Sequence, residues 1–153
     1  MAPYSISDSR RINAPAARIY ALIADYRRGH PTILPKQFSN LRVESGSGVG
    51  AGTTIRFEVT VMGRTDRYKA IVSEPEPGRV LVEKNVEPND SVTIFTVNPV
   101  DDGRAADVTI RTELNARPGV MGALEKFLIR RMMPGLYAEE LRLMELRATE
   151  QAG

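Results

Sequence analysis

Residues 118–149 read PGVMGALEKFLIRRMMPGLYAEELRLMELRAT, and this stretch predicts a long C-terminal helix interrupted once. Val120, Leu124, Phe127, Leu128 and Arg131 fall on one side at about 100° per residue. After Pro134-Gly135 the stripe becomes Tyr137, Leu141, Met144 and Ala148. On one straight axis the second stripe lies more than about 90° from the first. A proline inside a helix removes one backbone hydrogen bond and crowds the preceding turn. The expectation is therefore a kink or break at Met133–Gly135 that turns both stripes toward the same surface.

That surface is predicted by a change of period upstream. Ile55, Phe57, Val59 and Val61 alternate with Thr54, Arg56, Glu58 and Thr60, the pattern of a half-buried strand. Tyr68, Ala70 and Val72 alternate in the same way, and so do Val108, Ile110, Thr112 and Leu114. Further strands are expected over 4–12, 38–44, 80–86 and 92–98, with a turn signal every 10–15 residues or so. Between residues 15 and 26, Ile19, Leu22, Ile23 and Tyr26 repeat at helical spacing, with Asn13 as the expected N-cap and Pro15 in the first turn. Thr32–Leu34 adds a further turn. One strand, one or two helices, six strands and a long helix make an α+β order, because strands do not alternate with helices. A curved antiparallel sheet packed across the long helix would leave an apolar cavity between them, the usual place for a small molecule.

The 153 residues suit a single domain. A net charge of +2 favours solubility and does not make the concentrated basic face that nucleic acid requires. There is no cysteine, which excludes disulfides, thiolate zinc sites and cysteine nucleophiles. With a single histidine, no histidine-rich metal site can form, so neither a metal nor another cofactor is expected. The first residues lack an apolar signal core and no stretch reaches a membrane span, so a cytoplasmic location is the expectation.

With that order of elements in place, the chain resembles the START-like (SRPBCC) superfamily, and most closely its polyketide cyclase/dehydrase and lipid-transport branch. The residues that carry the resemblance are Ile12-Asn13-Ala14-Pro15-Ala16, Asp25-Tyr26, Gly50-Ala51-Gly52-Thr53 and Glu74-Pro75-Glu76-Pro77-Gly78-Arg79. It covers nearly the whole chain and implies a helix-grip fold over residues 1–153. Members bind lipids, sterols, polyketides or plant hormones, and some catalyse cyclisation or dehydration. The resemblance thus implies a small hydrophobic ligand, with a cyclase/dehydrase-type enzyme as the alternative.

His30 lies between Gly29 and Pro31 and is either a loop histidine or a ligand contact and general acid/base. The Gly46, Gly48, Gly50, Gly52 run precedes a strand, not a helix, so it reads as a loop and not as a phosphate cradle. Arg131 is either an arginine whose stem covers apolar surface or a cationic anchor inside the cavity. Arg117, Lys126, Arg130 and Arg131 read as a solvated helix face, with contact to a membrane surface as the other possibility. Arg56, Glu58, Arg111 and Glu113 alternate with inward residues and belong on the outer face. The candidate ligand-binding residues are Tyr26, His30, Phe57, Tyr68, Phe95, Phe127 and Arg131, with Tyr137 also facing inward. Of these, His30, Tyr26, Tyr68 and Arg131 would move protons in an enzyme. Because no acid–base pair stands at a defined spacing, binding is the favoured reading, and a core closed by its own side chains is the third.

Overall fold

The computed structural model describes residues 2–150. Strand β1 (Ala2–Ile12) is followed by helix α1 (Ala16–Ala24) and a 3-10 turn at His30–Ile33. Six strands come next: β2 (Phe38–Ser45), β3 (Thr54–Val61), β4 (Arg64–Glu76), β5 (Val80–Glu87), β6 (Val92–Val100) and β7 (Ala105–Ala116). Helix α2 (Gly119–Glu150) closes the chain. All seven strands form one sheet in the order β1-β7-β6-β5-β4-β3-β2, each pair antiparallel. This is the curved α+β sheet with a long C-terminal helix that the order of elements predicts.

The alternating patterns settle the two faces of the sheet. Ile55, Ala70, Val72, Leu81, Phe95, Val97, Val108 and Ile110 are buried on the inner face. On the outer face Arg56 pairs with Glu44 and Glu87, and Glu58 with Arg67. The β3–β4 hairpin turns on Met62 and Gly63, both at positive φ (54° and 77°), as a two-residue connection requires. The expected turn at residues 74–78 is shorter than its prolines suggest, because β4 continues to Glu76 past a register shift.

Asn13 does not cap α1. Pro15 occupies the N-cap position, and no side chain closes that end. The carbonyl of Pro15 instead accepts from the amides of Arg18 and Ile19. At the other end the glycine loop is stitched to α1. The Tyr26 amide donates to the Gly48 carbonyl at 2.8 Å and the Gly50 amide to the Ala24 carbonyl at 2.9 Å. The loop therefore serves the fold, as its context predicts.

Helix α2 runs as one 32-residue helix with Pro134 inside it, so the chain does not break there. Pro134 withholds one amide hydrogen bond. The helix continues past it, and packing of Leu136, Tyr137 and Leu141 holds the turns that follow. The change of face is nonetheless present. Tyr137, Leu141, Met144 and Ala148 are buried, whereas Val120 is 84% and Phe127 is 59% exposed. Of the first stripe, Leu124 and Leu128 turn toward the sheet, and Val120, Phe127 and Arg131 turn to solvent. This half of α2 is tethered along its edge, where Lys126 lies 4.9 Å and Arg130 5.4 Å from the centre of the Tyr4 ring.

Candidate functional site

Between the inner face of the sheet and α2 lies a cavity of about 660 Å³. Its walls include Phe38, Leu41, Ile55, Phe57, Val59 and Tyr68 on one side and Leu128, Ile129, Met133 and Leu136 on the other. Phe57 stacks on Tyr68 with ring centres 5.2 Å apart, which gives the wall a flat aromatic section. The exposed side chains of Met62, Met121 and Leu124 also line it, and they mark its mouth.

The inner end is polar, and the backbone around α1 builds it. Gly29 passes so close to α1 that a Cβ there would lie 2.6 Å from the Leu22 carbonyl oxygen. Only glycine allows that approach. The next residue, His30, is thereby pressed inward, with its amide donating to the Asp25 carbonyl at 2.7 Å. The residue is 3% exposed, and its ring stacks on Tyr26 at 4.5 Å and meets the Phe95 ring edgewise at 5.6 Å. His30 Nδ1 lies 2.7 Å from the Ile23 carbonyl oxygen. A carbonyl only accepts, so Nδ1 carries the proton and Nε2 turns toward the cavity.

Two carboxyl groups face that Nε2. Glu83 Oε2 on β5 is 3.6 Å away and Glu140 Oε2 on α2 is 4.0 Å away. The Tyr26 hydroxyl donates to Glu83 Oε2 at 2.6 Å. Burial, reinforced by the charge of Glu83, raises the Tyr26 phenol well above its ordinary range, so it stays a donor. Glu140 is 4% exposed, and its Oε2 has no hydrogen-bond partner. Burial first, and then the Glu83 charge, holds its carboxyl well above the usual carboxylate range. Tyr137, Thr112 and Thr93 continue the polar wall through hydroxyl contacts, and burial raises Tyr137 as well.

Of the residues singled out from the sequence, His30, Phe57, Tyr68 and Phe95 line the cavity. Tyr26 does not reach it and supports His30 and Glu83 from behind. Phe127 and Arg131 are corrections. Both are exposed and outside the lining, because they sit on the face of α2 turned away from Leu128, Ile129 and Met133, which line the cavity. A cationic anchor at Arg131 is therefore lost. Glu83 and Glu140 are not among the residues that the sequence singled out. Their positions carried the signal: Glu83 shares the two-residue period of Leu81 and Asn85, and Glu140 lies within the stripe of Tyr137, Leu141 and Met144. Placing them inside brings an acid–base set to the cavity that the sequence pattern did not disclose.

Comparison with known proteins follows the same architecture. No curated protein sequence matches the chain. Among solved structures, the KanY protein is 27% identical, with a TM-score of 0.82 over 97% of this chain and 99% of its own. The Zhui aromatase/cyclase from Streptomyces sp. R1128 is 14% identical, with a TM-score of 0.81 over 99% and 96%. Norcoclaurine synthase from Thalictrum flavum, solved with dopamine and hydroxybenzaldehyde, is 16% identical, with a TM-score of 0.71 over 97% and 88%. No helix among the described residues is long and apolar enough to cross a membrane. The family model for polyketide cyclase/dehydrase and lipid transport matches residues 3–149, and the chain belongs to that family.

Proposed function

We propose that this protein holds a small, mainly apolar molecule in the cavity between the sheet and α2. The observation that carries the reading is a cavity of about 660 Å³ with largely apolar walls and a buried polar end. That volume is in the range of small-molecule sites, which are typically apolar with a few placed polar groups. The stacked Phe57 and Tyr68 favour a ligand with a flat ring. Relatives of the same fold include one named an aromatase/cyclase and one solved with aromatic compounds, which supports a ring-bearing ligand.

The test is binding of the apolar fluorophore 1-anilinonaphthalene-8-sulfonate to the full chain. Val59→Trp should fill the cavity and abolish saturable binding, while Phe127→Ser, outside the lining, should leave it intact. Equal binding by wild type and Val59→Trp would place the dye elsewhere and remove the support for this reading.

A second reading, chemistry on the bound molecule of the cyclase/dehydrase kind, is favoured by one observation. His30, Glu83 and Glu140 converge at the buried end instead of facing solvent. A site that only stored an apolar molecule would have no need to bury an unpartnered carboxyl there.

A further inference from the structure

We infer that His30 Nε2 and Glu140 form a base–acid couple that enolises a ring-bearing ketone held in the cavity. The inference rests on the binding reading above and assigns the chemistry of its inner end.

The base follows from the hydrogen bonds. The Ile23 carbonyl fixes the proton of a neutral His30 on Nδ1, at 2.7 Å. The lone pair of Nε2 is then free and points at the polar end of the cavity. Stacking on Tyr26 and the edge contact with Phe95 hold the ring in that orientation.

The acid follows from burial and the missing partner. Glu140 lines the cavity, is 4% exposed, and has no group bonded to Oε2. Glu83 is occupied by the Tyr26 hydroxyl at 2.6 Å and cannot serve equally well. An ionised carboxyl beside Glu83 and without a partner would be costly, so Glu140 holds its proton and has it to give.

The separation also fits. Nε2 and Glu140 Oε2 are 4.0 Å apart, so a carbonyl and its neighbouring carbon can lie across both atoms. Nε2 takes a proton from the carbon beside the carbonyl, and that C–H electron pair becomes the C=C bond. The carbonyl π pair takes the Glu140 proton, giving the neutral enol. An imidazolium at His30 then faces a carboxylate at Glu140; its Nε2 proton exchanges with solvent, and the reverse step delivers a solvent-derived hydrogen to the carbon and restores both. No oxidant, reductant or co-reactant enters.

The probe is 2-tetralone, a bicyclic aromatic ketone, in deuterium oxide. Exchange of its protons beside the carbonyl is followed by proton NMR, and its binding by displacement of the fluorophore. The wild-type chain should accelerate exchange saturably. His30→Asn keeps a side-chain amide to donate to Ile23 while removing Nε2, and Glu140→Gln keeps the shape while removing the acid. Each variant should lose about 100-fold or more of the accelerated rate while 2-tetralone still displaces the dye, the scale of general acid–base catalysis. Displacement of dye without accelerated exchange in wild type overturns the couple and leaves binding standing. Wild-type exchange in both variants overturns it too. Neither displacement nor exchange overturns both readings.

Discussion

Replacing Tyr26 with Phe removes one oxygen atom and tests the support beneath the polar end of the cavity. The Tyr26 hydroxyl donates to Glu83 Oε2 at 2.6 Å, and both residues are buried. The ring itself stacks on His30 at 4.5 Å, and phenylalanine preserves that contact. The change therefore isolates the hydrogen bond. A bond to a charged acceptor is worth about 1.5–3 kcal/mol, and its loss leaves the buried Glu83 oxygen without its donor. At about 3 °C per kcal/mol for a domain of this size, the melting temperature should fall by about 5–9 °C. The burial that raises the phenol keeps it protonated through neutral and mildly basic pH, so the cost should be constant there. The measurement is urea unfolding followed by circular dichroism, repeated in a Glu83→Gln background. With a neutral acceptor the same Tyr26→Phe change should cost only about 1 kcal/mol. An equal cost in both backgrounds, or a cost below about 0.5 kcal/mol in wild type, would refute the reasoning.

Glu140 makes stability depend on pH in a defined direction. Its carboxyl is raised, so its stabilising contribution is complete below the ordinary glutamate range and is lost as pH rises toward the folded value. Glu140→Gln should therefore gain on wild type in melting temperature as pH rises above the ordinary glutamate range, and parallel curves would contradict this. Met144 on α2 is fully buried, and Met144→Ala should cost about 2–5 kcal/mol in urea unfolding. On the same helix Phe127 is 59% exposed, and Phe127→Ser should change stability by no more than about 0.5 kcal/mol. Arg131→Ala should leave fluorophore affinity unchanged, because Arg131 stands outside the cavity; a marked loss of affinity would restore it as an anchor.

The fold was legible because its signals are local. The two-residue alternation from Ile55 to Val61, its repetition in Tyr68–Val72 and Val108–Leu114, and the stripe Tyr137, Leu141, Met144, Ala148 each follow from side-chain direction along a strand or helix. The aromatic wall of the cavity, Phe57, Tyr68 and Phe95, was legible for the same reason. Phe127 and Arg131 were misplaced because periodicity reports that a face is apolar and not what covers it. In α2 the half before Pro134 turns Leu128, Ile129 and Met133 toward the cavity and leaves Val120, Phe127 and Arg131 to solvent.

The chemistry of the polar end was decided by tertiary structure. Glu83 and Glu140 sit at inward positions of their own elements, yet nothing local says that β5 and α2 bring both carboxyl groups to one imidazole. The direction of His30 Nε2 depends on the Ile23 carbonyl and on the close passage of Gly29 over Leu22. The sequence alone determined the element order, the inner face of the sheet and the family likeness, because these are carried by spacing along the chain. Only the packed structure brought one histidine and two glutamates together, because proximity between distant residues is created by the packing of the elements that carry them.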